Sequence, residues 1–348
     1  MVNRIWIRCE ADSEIGMGHW MRCRNLALAF RKLGIEVGFI LPANADYCSE
    51  WDVHPLPVST SLREEVKYYP CDQMDAVVLD ISSSRTLSQS DALSSIVHQL
   101  RRENILTFLI DGLGDCGYTA SASAPPHVVL TPYLLARDEP RRNCENWLHG
   151  ASYAMLASEY GEELEPRQSS EILFSLGGAD PWRLTETTLV SFSEGLLGLP
   201  EGWTLTVVTG PFFSALRCQN IRDITGSLGV KYCNLHSPNM LEAYRASSAA
   251  ILGPGLSKYE ATACRLRPII LCPREVDRAI NLPFLDEGLV VELVSCQDGQ
   301  PQIAKLQTAI NEAVAGGRLE GRRSVDGKGC DRVANQVLLM LGEHSIEN

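Results

Sequence analysis

The chain has 348 residues, 45% hydrophobic and 21% charged, with 43 acidic against 31 basic side chains and a formal net charge of -12. That length exceeds one hydrophobic core and predicts two domains of roughly 150 to 200 residues. The acidic balance argues against a nucleic-acid or anionic-membrane surface, and no stretch approaches the roughly 20 apolar residues that span a bilayer, so neither nucleic-acid binding nor membrane insertion is expected.

The N-terminal MVNRIWIRCEADS lacks the apolar core and cleavage pattern of a signal peptide, which makes the cytoplasm the expected location. Twelve cysteines are scattered without a CxxC pair and are expected to be reduced; those in apolar runs, such as Cys9 and Cys272, behave as small hydrophobes. His19 and Cys23 are four apart, but no second ligand pair with zinc-like spacing accompanies them, so neither a metal nor a cofactor is expected.

Short runs rich in Val and Ile alternate with longer amphipathic segments, the pattern of parallel sheets with crossover helices. The first series of expected strands is Ile5 to Cys9, Val37 to Leu41, Ala76 to Asp80, Leu106 to Asp111 and Val128 to Leu130. The second is Ile172 to Leu176, Leu205 to Thr209, Val230 to Leu235, Ala249 to Leu252, Ile269 to Cys272 and Val290 to Leu293. Between them EYGEELEPRQSS, Glu159 to Ser170, reads as a linker. The expected architecture is two Rossmann-like, doubly wound α/β domains, residues 1–158 and 171–348, facing a central cleft with ligands at the carboxyl ends of the strands. The last helix-like stretch, Asp331 to Leu341, fits either domain.

After the first strand comes EIGMGHWMRC, and Cys23, Leu26, Ala27, Phe30 and Leu33 then fall at helical intervals, with Gly34 placed to stop the helix. A dinucleotide fingerprint needs a third glycine where Met21 stands and an acid where the second strand ends in Leu41-Pro42. What remains is a glycine turn that presents His19 at a helix N-terminus. The positive helix end keeps imidazole neutral, which suits a general base; a histidine that merely caps or packs fits the same residues.

Two further glycine turns each join a strand to a helix. In Leu176-Gly177-Gly178-Ala179-Asp180-Pro181 the exposed N–H groups could hold a phosphate, or Asp180 could be an ordinary N-cap with Pro181 at the first helical position. In Gly253-Pro254-Gly255-Leu256-Ser257-Lys258-Tyr259-Glu260 the carboxylate of Glu260 could accept from two ribose hydroxyls, or be a solvated first-turn acid.

Taken together, DSEIGMGHWMRC, LGGADP, GPGLSKYEATACRLRPIIL and DRAINLPFLDEG resemble the PseG/SpsG group of nucleotide-sugar hydrolases, relatives of the MurG-type glycosyltransferases with the GT-B fold. The likeness runs from Ile5 to about Leu293. It implies hydrolysis of a UDP-linked di-N-acetylated trideoxy sugar to UDP and free sugar, on the way to pseudaminic acid or a related nonulosonate. His19 would activate the attacking water, with inversion and without metal. Asp12, Gly16, Gly18, Arg22 and Asp111 would lie on the sugar side, with Asp12 and Asp111 as candidates for orienting His19 or the sugar. Gly177, Gly178 and Asp180 would form one nucleotide loop and Gly255, Leu256 and Ser257 another, with Glu260 on the ribose and Asn281 facing the sugar nucleotide.

Two features depart from the group: Asp80-Ile81-Ser82-Ser83-Ser84 lacks its aromatic residue, and the third glycine loop carries Pro254 and Lys258. The alternative reading keeps the fold and gives a glycosyltransferase that uses a sugar or lipid hydroxyl in place of water. Only Arg22, Arg24, Arg31 and Lys32 supply basic charge to the first helix, too few for a membrane-binding patch, which favours water.

Overall fold

The computed structural model describes residues 4–12, 14–45, 48–57, 60–82, 90–111, 125–135, 144–162, 169–234, 240–316 and 325–347. The chain forms two compact units: Met1–Ala11, His19–Ser158 and Gly327–Asn348 make the first, Asp12–Gly18 and Glu159–Asp326 the second.

In the first unit, β1 (Arg4–Arg8), β2 (Glu36–Pro42), β3 (Asp52–Leu56), β4 (Ala76–Leu79), β5 (Leu106–Ile110), β6 (Val128–Thr131) and β7 (Asn146–His149) form one sheet. Its order is β3-β2-β1-β4-β5-β6-β7, and every pair is parallel. The central strands are covered on both faces, which is why they read as unbroken apolar runs. Helix α1 (Gly18–Lys32) buries Cys23, Leu26, Ala27 and Phe30, while Leu33 falls just beyond it and is exposed. Gly34, at φ +76, ends it. Helices α2 (Leu62–Glu65) and α3 (Ser90–Arg102) follow, and Leu62, Val66, Leu93 and Val97 pack with Trp6, Val77 and Leu79 in the core.

The second unit repeats this winding. Strands β8 (Glu171–Ser175), β9 (Thr204–Thr209), β10 (Lys231–Asn234), β11 (Ala249–Leu252), β12 (Ile269–Cys272), β13 (Glu292–Gln297) and β14 (Gln300–Pro301) lie in the order β10-β9-β8-β11-β12-β13-β14. All pairs are parallel except the antiparallel β13–β14 edge. Helices α4 (Leu184–Ser193), α5 (Ala215–Leu228), α6 (Met240–Ala246), α7 (Ser257–Ala263), α8 (Glu275–Asp286) and α9 (Ile303–Ala315) accompany it. Phe174, Leu189, Val207, Ile251, Leu271 and Leu306 belong to its core. The last helix, α10 (Gly329–Glu347), docks on the first unit: Cys330 Sγ donates to Leu156 O at 3.4 Å and Arg332 Nη1 to Ser152 O at 2.7 Å. Gly329 permits that docking, because a Cβ there would lie 2.1 Å from Ala154 O.

Several elements differ from the sequence reading. Strands β3, β7 and β14 were not among the expected ones; all three sit at sheet edges, and β3 and β7 are largely half-buried or exposed. The expected strand Val290 to Leu293 is shifted, since pairing begins at Glu292 and runs to Gln297. Asp80 and Asp111 lie one residue past the ends of β4 and β5. Within Glu159 to Ser170, Tyr160 is buried in a single turn, Ser158–Gly161, while Leu235 and residues 163–168 lie outside the described residues.

In both sheets the winding reverses beside the first strand, between β1 and β4 and between β8 and β11. Ligand sites of open α/β sheets form at the carboxyl ends of such strand pairs, here the loops after these four strands. Among the described residues, no helix is long and apolar enough to cross a membrane.

Candidate active site

In the first unit the loops after β1 and β4 bring together two side chains. His19, in the first turn of α1, places Nδ1 2.8 Å from Oδ1 of Asp80, and Asp80 is fully buried while the imidazole stays one-fifth exposed. The carboxylate is held from several sides. Arg22 Nε donates to Oδ2 at 2.6 Å, Arg22 Nη2 donates to Oδ1, and Cys23 Sγ donates to Oδ2 at 3.2 Å. Its backbone N–H donates to Arg8 O at 2.8 Å. Burial alone would raise the Asp80 carboxyl, but the Arg22 guanidinium and the His19 ring overcome that and hold it well below the usual carboxylate range.

An ionised Asp80 can only accept, so Nδ1–H donates to it, and in the neutral form of that ring Nε2 is the nitrogen with the lone pair. A carboxylate behind Nδ1 orients the ring and stabilises the imidazolium that forms when Nε2 takes a proton. Arg22 Nη2 also lies 3.0 Å from Nδ1, and Arg22 Nη1 donates to Tyr133 Oη. The guanidinium is thus enclosed among Asp80, His19 and Tyr133, and its charge serves the pair from within the protein.

The other residues expected on the sugar side have these placements. Asp12 Oδ1 accepts from the N–H groups of Glu14 at 2.7 Å and Ile15 at 2.8 Å, and Gly16 N donates to Asp12 O at 2.8 Å, so the carboxylate shapes its own turn. Gly16 closes that turn at φ +73, and a Cβ on Gly18 would meet only open space. Asp111 is buried past the end of β5, its N–H donating to Leu130 O at 2.9 Å. Asp80 was missing from the expected site residues, although the winding of the sheet sets it beside the loop that carries His19.

A buried network backs this loop. Arg8, wholly inside, donates to both oxygens of Glu65 at 2.9 Å and to Glu10 at 3.3 Å, and Glu10 in turn accepts from Ser82 N at 3.0 Å. The chain is therefore fixed on both sides of Ile81, by Arg8 O at Asp80 and by Glu10 at Ser82.

In the second unit a cavity of about 470 Å³ opens at the carboxyl ends of β8, β11 and β12, lined among others by Leu176, Asp180, Trp182, Gly253, Pro254 and Asp277. Gly177 adopts φ +87, and Gly178 allows close approach of Met17, whose backbone N would lie 3.1 Å from an added Cβ. The space beside Gly178 is thus filled by the chain itself. Asp180 accepts from Leu184 N at 3.1 Å and Thr185 N at 2.9 Å, and Arg217 braces it from 3.3 Å. Its carboxylate therefore occupies the anion position at the start of α4, and Pro181 precedes the helix instead of opening it. Burial pushes the Asp180 carboxyl up against the pull of those donors.

The loop after β11 is more open. Gly255 is exposed with nothing near an added Cβ, and Leu256 and Ser257 are half-buried. Glu260, half-buried on α7, accepts from Tyr244 Oη at 3.1 Å and from the Tyr160 hydroxyl, while the two tyrosine rings meet edge to face at 6.3 Å. Burial, only partly offset by these hydrogen bonds, pushes the Glu260 carboxyl up to about 7. Tyr160 is the clearest residue that sequence reasoning missed here, because it lies in the stretch read as linker. Asn281 is fully buried inside α8, Nδ2 donating to Asp277 O at 2.6 Å, and it does not line the cavity. Among the described residues, no group of three His, Cys, Asp or Glu side chains could hold a metal ion.

No protein-family model matches the chain. An uncharacterized protein of Methanocaldococcus jannaschii is 21% identical over 309 residues, covering 85% of this chain, and the chain spans only 61% of that relative's length. Among solved structures, MurG of Acinetobacter baumannii superposes with a TM-score of 0.58 at 10% identity, covering 97% of this chain and 100% of that one. The glycotransferase of kitacinnamycin gives 0.60 at 13% identity, covering 98% and 100%. The UDP-GlcNAc 2-epimerase of Methanocaldococcus jannaschii, solved in complex with UDP-GlcNAc and UDP, gives 0.57 at 12% identity, covering 97% and 100%. The chain has the GT-B fold.

Proposed function

We propose that the chain hydrolyses a UDP-linked amino or deoxy sugar at its anomeric carbon, releasing UDP and the free sugar. The observation that carries this reading is the buried Asp80 2.8 Å behind Nδ1 of the one-fifth-exposed His19, an arrangement suited to a base that accepts at Nε2. His19 Nε2 takes a proton from water as the oxygen attacks C1, the C1–O bond to UDP breaks on the opposite face, and the configuration inverts. The proton rests on an imidazolium stabilised by Asp80. A general base of this kind contributes about 10²–10⁴-fold in rate.

UDP is assigned to the second unit. Because Asp180 already fills the start of α4, the diphosphate is assigned to Gly255, Leu256 and Ser257, and the ribose to Glu260 beside Tyr244. The enzymes with similar structures, one of them solved with UDP-GlcNAc and UDP, support nucleotide-sugar chemistry, and the resemblance of the sequence motifs to the PseG/SpsG group supports water as acceptor and a di-N-acetylated trideoxy sugar as the group cleaved. The structural likeness to MurG equally favours a second reading in which the same base deprotonates an acceptor hydroxyl. Incubation with a panel of UDP-sugars, with and without sugar and lipid acceptors, followed by mass spectrometry, separates the two. UDP and free sugar formed in water alone establish the hydrolase; UDP formed only with an acceptor establishes the transferase.

A further inference from the structure

The cavity of the second unit carries a feature that the proton-transfer pair and the nucleotide loops leave unused. Trp182 lines it and is 49% exposed, although a large aromatic side chain gains most from burial. Its indole makes no hydrogen bond or ring contact among the described residues, so the exposed face is available to a ligand.

The backbone that presents it is fixed at both ends. Asp180 and Arg183 both adopt left-handed conformations, with φ +44 and +55, and Arg183 N donates to Asp180 O at 3.1 Å to close the turn. Arg217 holds the turn through Ala179 O at 2.9 Å and Asp180 O at 3.3 Å, and is itself paired with Glu186 at 2.8 Å. Two strained non-glycine residues around a solvent-facing tryptophan form an arrangement that costs stability and is characteristic of ligand sites.

The charges of the cavity indicate which part of a nucleotide sugar meets the ring. Its lining contains the carboxylates of Glu14, Asp180 and Asp277 against the single cation of Arg274. Arg274 is committed to Asp277, with Nε at 2.9 Å and Nη2 at 2.6 Å, and Arg217 partners Asp180 from outside the lining. Lys258 Nζ lies behind the lining, donating to Pro254 O at 2.6 Å, so among the described residues the lining carboxylate left without a cation is that of Glu14, which disfavours a diphosphate and the carbonyl edge of a pyrimidine beside it. Hydroxyl and N–H donors on a saturated ring suit it, and the apolar face of such a ring suits the indole. We propose that Trp182 is the platform on which the sugar of the nucleotide sugar stacks, with the Glu14 carboxylate accepting hydrogen bonds from the sugar's hydroxyl or acylamino groups. This deepens the function proposed above and rests on it.

The test is calorimetry on the full chain with UDP and with a panel of UDP-hexoses and UDP-N-acetylhexosamines, comparing Trp182→Ala and Trp182→Phe with the wild type. The expected result is wild-type affinity higher for at least one UDP-sugar than for UDP, an affinity about tenfold lower in Trp182→Ala for that UDP-sugar, and UDP affinity within twofold of wild type. Trp182→Phe should keep UDP-sugar affinity within threefold. Equal losses for UDP and UDP-sugar in Trp182→Ala would overturn the assignment and move the ring to the nucleoside. Unchanged affinity for both would leave Trp182 a surface residue and also overturn it. A wild type that binds UDP but gains nothing from any attached sugar overturns the platform alone, and one that binds neither overturns the UDP-sugar reading as well.

Discussion

Replacing Asp80 by Asn is the most informative single perturbation, because it removes one negative charge and almost no volume from the centre of the first unit's site. In the wild type the carboxylate accepts from Arg22 Nε and Nη2, His19 Nδ1 and Cys23 Sγ. An amide has one oxygen for these four donors. If that oxygen stays with Arg22, the NH₂ group faces Nδ1, the imidazole proton moves to Nε2, and the base is lost. Turnover should then fall by about 10²–10⁴-fold, equivalent to about 3–5 kcal/mol at 1.36 kcal/mol per factor of ten. Stability should fall as well, because removing one partner of a buried ion pair leaves the other charge uncompensated, at about 3–5 kcal/mol.

Asp80 has its carboxyl held below the ordinary 3.8, so its contribution is present above that value and is lost as pH falls through the lower native one. The gap in melting temperature between wild type and Asp80→Asn should accordingly be full at pH 7 and narrow below about pH 4. The assay is single-turnover release of UDP on folded protein, with UDP affinity measured in parallel by calorimetry. Affinity should be unchanged, and adding Asp80→Asn to His19→Ala should cost little beyond His19→Ala alone, since the two act as one unit. Turnover of Asp80→Asn within threefold of wild type, or full additivity with His19→Ala, would refute the paired-base reasoning.

Three other outcomes follow from the geometry. His19→Ala should lower turnover by about 10²–10⁴-fold while UDP binding stays within twofold, and equal turnover would eliminate the base role. Glu260 ionises at about 7 in the free protein against an ordinary 4.5, so its burial costs stability progressively as pH rises from about 4.5 to 7. Glu260→Gln should therefore gain melting temperature relative to wild type at pH 8 compared with pH 5. If the ribose hydroxyls donate to this carboxylate, affinity for a UDP-sugar, whose own phosphates do not titrate in that range, rises through pH 7 in the wild type and not in Glu260→Gln; parallel profiles would remove Glu260 from the ribose. Gly210→Ala should destabilise the second unit by about 1–3 kcal/mol, because the new Cβ would lie 2.4 Å from both Gly177 O and Gly178 O; an unchanged thermal melt would contradict the close packing of that glycine loop.

The central strands were legible because both faces are covered and the residues are apolar throughout, as in AVVL of β4 and IILC of β12. The edge strands DVHPL and NWLH were not, since one side faces solvent, pairing is on one edge only, and a proline is tolerated there. His19 was legible from its glycine turn and helix start. Asp80 was not, because a strand-end aspartate looks the same at positions 80 and 111 until the strand order is known. The order β2-β1-β4 places the end of β4 next to the loop that leads to His19, and that order alone distinguishes Asp80 from Asp111. Asp180 shows the opposite situation: its phosphate and N-cap readings were indistinguishable by spacing, and neither holds as stated, because Arg183 takes the N-cap position while the Asp180 carboxylate accepts from the Leu184 and Thr185 N–H groups from three residues before it. Tyr160 could not be found from local pattern at all, because its partners Tyr244 and Glu260 are about a hundred residues away in the chain.

The two sheets share one winding, so each unit offers the same pair of loops, after its first strand and after the neighbour across the reversal. One copy of that frame holds the His19–Asp80 pair in a buried charge network; the other holds a pocket of about 470 Å³ with a solvent-facing indole and an open glycine loop. On the proposed reading, the duplicated scaffold separates reactivity from recognition. Selection for a new donor sugar can then act on Trp182 and its surroundings while the proton-transfer chemistry at His19 is inherited unchanged, which makes the chain a promising starting point for directed evolution toward altered sugar preference.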